Sequence, residues 1–83
     1  MASWVERLCL LEQRYERTVA RFGADHLETL ADCRALALTA FAVGDLKTAR
    51  RYLVDALELS GRLLGTQHPG TVELAGYLAA AGP

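Results

Sequence analysis

An internal repeat is the feature that most constrains the fold of this 83-residue chain. The segment GADHLETL at 23–30 returns as GTQHPGTV at 65–72, an offset of 42 residues, with glycine, histidine and threonine in matching places. The pair Leu36-Ala37 returns as Leu78-Ala79 at the same offset. Such a period is typical of arrays whose similar units bury their apolar faces against their neighbours.

Each copy of the repeat predicts a corner between two helices. Gly23 and Gly65 follow apolar helical stretches, and the left-handed position that ends many helices favours glycine. Pro69 suits the first turn of the next helix, where its missing N–H costs nothing. His26 and His68 stand just before the helix starts. We expect them to cap backbone amides, because neither has a cysteine or second histidine nearby with which to bind metal.

Apolar periodicity predicts four helices, separated by these two corners and by a third at Gly44. Ser3 is a candidate N-cap for the first helix, with Glu6 at the capping-box position. The second helix is apolar on almost every side, so it must be covered on more than one face, whereas the third is amphipathic. The predicted helices cover about residues 3–22, 28–43, 46–64 and 70–81.

The fold class predicted from these elements is all-α, an antiparallel array of about four helices joined as hairpins. Alanine and leucine dominate the sequence, and runs of β-branched residues are absent, so helix is the regular structure that the composition favours. The length allows a single domain over residues 1–83.

Charge and hydropathy limit the classes of partner that we expect for this chain. The formal net charge is −1, with acidic and basic residues interspersed, so no overall field attracts nucleic acid or anionic lipid. The first twenty residues are too charged for a secretory signal, and uncharged runs such as 35–44 are shorter than the roughly 20 residues of a membrane span. We therefore expect a cytoplasmic protein without nucleic-acid or membrane partners. The excess of arginine over lysine indicates a bacterial source with GC-rich DNA.

No catalytic or metal-binding motif is present in the sequence. Cys9 and Cys33 are isolated in the sequence. A disulfide between them is one alternative, but we expect both to be free and to act as small buried apolar residues. A reactive site would need the two cysteines to converge with His26 and His68, whose corners lie about one repeat apart. We expect no enzyme activity, cofactor, metal or small-molecule substrate.

The segment GDLKTARRYLVDALEL at 44–59 resembles the second half of a tetratricopeptide repeat, and Leu36-Ala37 matches the first half. In that family, small residues at the places of Ala37, Ala49 and Ala56 let paired helices approach closely. The usual repeat has 34 residues. The 42-residue spacing, with Gly-x-x-His-Pro-x-Thr at the corner, resembles the longer variety typified by kinesin light chains. The resemblance implies one full repeat plus two half repeats.

The sequence departs from the family in two places. The first helix aligns as the second half of a preceding repeat, yet Arg7 and Arg14 stand where the family has alanine. Members of the longer variety often carry an asparagine before the Leu-Ala pair, where it holds the backbone of a bound peptide. Here Arg34-Ala35 stands instead, and the chain has no asparagine.

The resemblance places the first helix of each repeat on the concave surface, which suggests contact residues there. Arg34, Leu38 and Phe41 are spaced to share one side of the second helix, and Tyr77 lies at a similar place in the next copy. Aromatic residues and arginine are enriched at interface hot spots. Trp4 is a further candidate, because no preceding helix covers it. The alternative is that Leu38 and Phe41 pack in the core and Trp4 folds back as a lid.

Three hypotheses for the function follow. The leading one is a protein–protein interaction module that self-associates as a homodimer through its open ends or its concave groove, because an uncovered apolar face on so small a domain predicts association. The second is a regulatory or sensor fragment of a larger tetratricopeptide protein that recognises a peptide or helix. The third, and remotest, is a small helical enzyme or metal protein. Competition between peptide binding and self-association would separate the first two.

Overall fold

The computed structural model describes residues 3–82, and all the regular structure in that range is helical. The helices are α1 (Trp4–Phe22), α2 (Leu27–Ala42), α3 (Leu46–Leu64) and α4 (Pro69–Ala81). The all-α prediction is confirmed, and every predicted helix boundary lies within one residue of the observed one.

Local capping explains where the helices begin and end. The Ser3 side chain accepts a hydrogen bond from the Glu6 amide at 3.2 Å, and Asp45 accepts one from the Thr48 amide at 3.2 Å. These acceptors satisfy amides that the first helical turn leaves unpaired. Gly23 and Gly65 end α1 and α3 with φ of 90° and 99°, a conformation in which any residue with a Cβ is strained.

The core forms where the four helices pack in chain order, α1 on α2, α2 on α3 and α3 on α4. α2 is therefore covered by more than one neighbour, as its apolar circumference predicts. At the α2–α3 crossing, Ala37, Ala40, Ala49 and Ala56 are fully buried. Because alanine is so small, the two backbones approach closely there. The larger fully buried side chains in the core are Leu36, Leu53 and Leu74.

Alternate helices also touch through pairs of aromatic rings. The Tyr15 ring of α1 meets the Tyr52 ring of α3 edge-on at 6.0 Å between centroids, and Phe41 of α2 meets Tyr77 of α4 edge-on at 5.2 Å. The molecule is a slab of 38 × 32 × 18 Å. A slab this thin has two broad faces and two ends, and a helix at either end has a neighbour on one side only. None of the helices within residues 3–82 combines the length and the apolar character that a bilayer span requires.

Candidate interaction surface

Four of the predicted contact residues lie together at the junction of α2 and α4. Arg34 forms an ion pair with Glu73, and Phe41 packs against Tyr77. Leu38 is half-buried and packs against the core. The Nε atom of Arg34 is buried and finds no hydrogen-bond partner among residues 3–82. We call these four residues the concave patch, after the side on which the resemblance places them. The patch combines core packing with some exposed surface.

Trp4 lies apart from that patch. It is half-exposed and lines a shallow groove between the beginnings of α1 and α3, beside Val5, Leu8 and Thr48. The structure therefore brings Arg34, Leu38, Phe41 and Tyr77 together and leaves Trp4 at a separate surface.

The two repeated histidines occupy equivalent structural positions. His26 Nδ1 accepts a hydrogen bond from the Glu28 amide at 3.0 Å, and His68 Nδ1 accepts one from the Gly70 amide at 3.0 Å. Each imidazole is thus the N-cap of the following helix. Pro69 stands in the first turn of α4, and the other corner residue, Gly44, has φ of 83° between α2 and α3.

The cysteine thiols are free and differ in environment. Cys9 is exposed, whereas Cys33 is buried and donates a hydrogen bond to the Tyr52 carbonyl at 3.4 Å. Burial raises the pKa of the Cys33 thiol to about 11, so it stays protonated at neutral pH. Within residues 3–82, no three histidine, cysteine, aspartate or glutamate side chains come close enough together to hold a metal ion.

An apolar groove, absent from the predicted sites, runs between α3 and α4. It has a volume of about 490 Å³ and is open to solvent. Most of its lining residues have hydrophobic or small side chains, and Glu58 and Arg62 are the two charged ones. The full lining is Leu57, Glu58, Gly61, Arg62, Thr66, Thr71, Val72 and Ala75. We call it the α3/α4 groove.

The repeat shows what the α3/α4 groove corresponds to in the first copy. At the 42-residue offset, Val72 matches Leu30 and Ala75 matches Cys33. Leu30 and Cys33 are only 6% and 1% exposed, because α3 packs over this part of α2. Val72 is 56% exposed, and Ala75 is exposed too. The groove is therefore the second copy of a surface that a helix covers in the first.

The sequence held a signal for this groove. The apolar residues at 30 and 72 match across the repeat. Comparing the two copies residue by residue would have identified Val72 and Ala75.

Comparisons with known proteins find a weak similarity. A 58-residue stretch is 38% identical to the Clustered mitochondria protein homolog of Homo sapiens. The stretch covers 70% of this chain, and the match spans only 4% of the length of that human protein. No protein-family model matches the chain, and no solved structure matches it significantly.

Proposed function

We propose that this chain is a tetratricopeptide-type protein-interaction module that binds another protein chain through the α3/α4 groove. The observation that carries the proposal is the contrast between matching positions of the repeat. Leu30 is 6% exposed and belongs to the core, while Val72, its counterpart, is 56% exposed. An apolar groove with charged groups at its edge is the kind of surface at which proteins associate.

The packing of α2 on α3 supports the assignment to the tetratricopeptide type. Ala37, Ala49 and Ala56, the three small residues of the resemblance, are all fully buried at that crossing. The 42-residue repeat and the equivalent histidine caps fit an array built from one recurring unit. The similarity to the human Clustered mitochondria protein homolog adds weak support. In this proposal the module acts in the cytoplasm and has no catalytic role.

Self-association is the form of binding that can be tested with the purified chain alone. Two copies related by a two-fold axis would each shield Val72 of the other, and such isologous contacts are the commonest in homo-oligomers. Burial of apolar surface contributes roughly 25 cal/mol per Å². The small groove therefore predicts a weak, concentration-dependent dimer.

Light scattering across a concentration series tests this proposal. We expect the molar mass to rise from the 9.0 kDa of one chain toward twice that value. Val72→Asp should keep the chain monomeric, because it places a charge in the apolar contact. Val54→Asp is the matched control, since Val54 is 48% exposed on α3 but outside the groove lining. A monomer at every concentration would overturn self-association, and a dimer that Val72→Asp leaves intact would place the interface elsewhere.

A second candidate function is peptide recognition at the concave patch, in a regulatory or sensor fragment of a larger protein. The observation that favours it is the buried Nε of Arg34, which lacks a hydrogen-bond partner among residues 3–82 and could donate to a peptide carbonyl. Phe41 and Tyr77 would flank such a peptide. If this candidate is right, Phe41→Ala weakens peptide binding and Val72→Asp does not, as fluorescence anisotropy with a labelled peptide would show.

A further inference from the structure

We propose that the α3/α4 groove accepts a partner helix with the residue pattern of α3, and that it excludes the chain's own α1. The required pattern is a small residue at the first and eighth positions with an aromatic residue at the fourth. This inference rests on the proposed function and specifies the chemistry of the partner.

The pattern is taken from the helix that fills the equivalent surface in the first copy. There Ala49 and Ala56 are fully buried, and Tyr52 between them is nearly so. The Tyr52 carbonyl accepts the Cys33 thiol hydrogen bond, and its ring meets the Tyr15 ring. The alanines let the backbone approach α2, and the tyrosine fills the space between α1 and α2.

The groove offers matching positions for such a helix. At the 42-residue offset, Leu57 corresponds to Tyr15 and Ala75 to Cys33, and both line the groove. In the first copy, α3 lies on the matching surface of α2. A partner helix in the same position on α4 would place its aromatic ring between Leu57 and Ala75. Both are smaller than their counterparts, so the space for that ring is wider than the one that Tyr52 fills. An aromatic side chain as large as tryptophan is therefore compatible with the groove.

The chain's own α1 does not satisfy this pattern, although it aligns with α3 in the repeat. Arg7 and Arg14 stand at the positions that match Ala49 and Ala56, and both are exposed. Arg17, which matches the buried Leu59, is also exposed. These three arginines lie on one side of α1, because they are seven and three residues apart and such spacings return to one face of a helix.

Seating α1 of one copy in the groove of another would bury these guanidinium groups against apolar side chains. Arg14 already pairs with Asp32 of its own chain at 3.3 Å, and Glu58 is the one carboxylate among the groove-lining residues. At least one of Arg7 and Arg17 would therefore be left unpaired, and a buried unpaired charge is strongly unfavourable. Head-to-tail stacking would otherwise extend the array into an open filament. The arginines of α1 thus disfavour head-to-tail stacking of copies of this chain.

Peptide binding to the full chain tests the inference. The probe is a fluorescent peptide of residues 44–66, stapled between positions 51 and 55, which are exposed in α3. The staple is needed because isolated helices of this length are marginal in water. We expect saturable binding that weakens at least tenfold with an Ala56→Arg peptide. A stapled α1 peptide of residues 3–22 is the matched control and should not bind.

Variants of the full chain locate the site. Val72→Asp should weaken binding of the α3 peptide at least tenfold, while Val54→Asp should leave it unchanged, with circular dichroism confirming equal helix content. A stapled α3 peptide that does not bind, or an α1 peptide that binds as tightly, would overturn the inference. Binding that Val72→Asp leaves unchanged would overturn it as well.

The two experiments separate the inference from the function on which it rests. If light scattering shows association that depends on Val72 but the α3 peptide fails to bind, the groove is an interaction surface and the helix pattern is wrong. If neither association nor peptide binding depends on Val72, both the proposed function and the inference fail.

Discussion

Ser60 and Thr71 show how single residues connect helices in this chain. Their hydroxyl oxygens lie 2.7 Å apart in the core between α3 and α4. The matching residues of the first copy, Thr18 and Thr29, use other partners. Thr18 donates to the carboxylate of Asp32, and Thr29 donates to the Gly23 carbonyl at 2.6 Å. Hydroxyls at equivalent positions are thus satisfied differently, because α2 has an aspartate available and α4 does not.

The Ser60–Thr71 hydrogen bond predicts a strongly non-additive mutant pair. Ser60→Ala leaves the buried Thr71 hydroxyl without this partner, so we expect the free energy of unfolding to fall by about 1–3 kcal/mol. The double variant Ser60→Ala with Thr71→Val should be less destabilised than the sum of the two single variants, since both polar groups are then removed. Urea unfolding of the four proteins measures the coupling, and strict additivity would contradict the assigned hydrogen bond.

The buried titratable side chains predict a loss of stability at alkaline pH. Burial raises the pKa of Cys33 from 9.0 to about 11 and is the main cause that raises the pKa of Tyr15 from 10.0 to about 12. Above pH 9 the unfolded chain loses protons that the folded chain retains, so the free energy of unfolding falls as pH rises toward 11–12. Urea unfolding at pH 8, 9 and 10 should show this decline, and Cys33→Ala should reduce it. An unfolding free energy that stays constant from pH 8 to 10 would contradict the burial of these groups.

At the scale of the helices, the sequence predicts where each helix begins and ends, but it does not predict which apolar side chains are exposed. Boundaries depend on local signals such as the Asp45 cap, the histidine caps and the corner glycines, which are visible in a single sequence. Exposure depends on which other helix lies across a surface. Leu30 and Val72 are both apolar and hold the same repeat position, yet only the first is covered. The separation of Trp4 from the concave patch likewise follows from packing rather than from spacing along the chain.

The close crossing of α2 and α3 predicts different tolerance for a larger residue at two alanines. Ala56→Leu adds volume at a fully buried position, so we expect it to destabilise the fold by about 1–3 kcal/mol. Ala35→Leu, on the exposed side of α2, is the control and should change stability by less than about 0.5 kcal/mol. Thermal unfolding followed by circular dichroism compares them. Equal melting temperatures would show that the small residues at the crossing are not required.

At the scale of the whole molecule, the two ends of the slab differ in chemistry. The exposed surface of α1 carries Arg7, Arg17 and Arg14, the last paired with Asp32 of α2, whereas the groove beside α4 carries Val72 and Ala75. The net charge of −1 conceals this difference, because charges of both signs cancel along the chain. In our proposal the groove end receives a helix and the α1 end does not, so association would involve one end only and would give assemblies that close.

An NMR titration tests most directly whether the α3/α4 groove receives a helix. The isotopically labelled full chain would be titrated with the stapled α3 peptide while its amide chemical shifts are followed. The account predicts that the largest changes fall on residues 57–62, 66 and 71–79, with little change over 31–42. Changes centred on the concave face around Arg34 and Phe41, or no changes at saturating peptide, would contradict it.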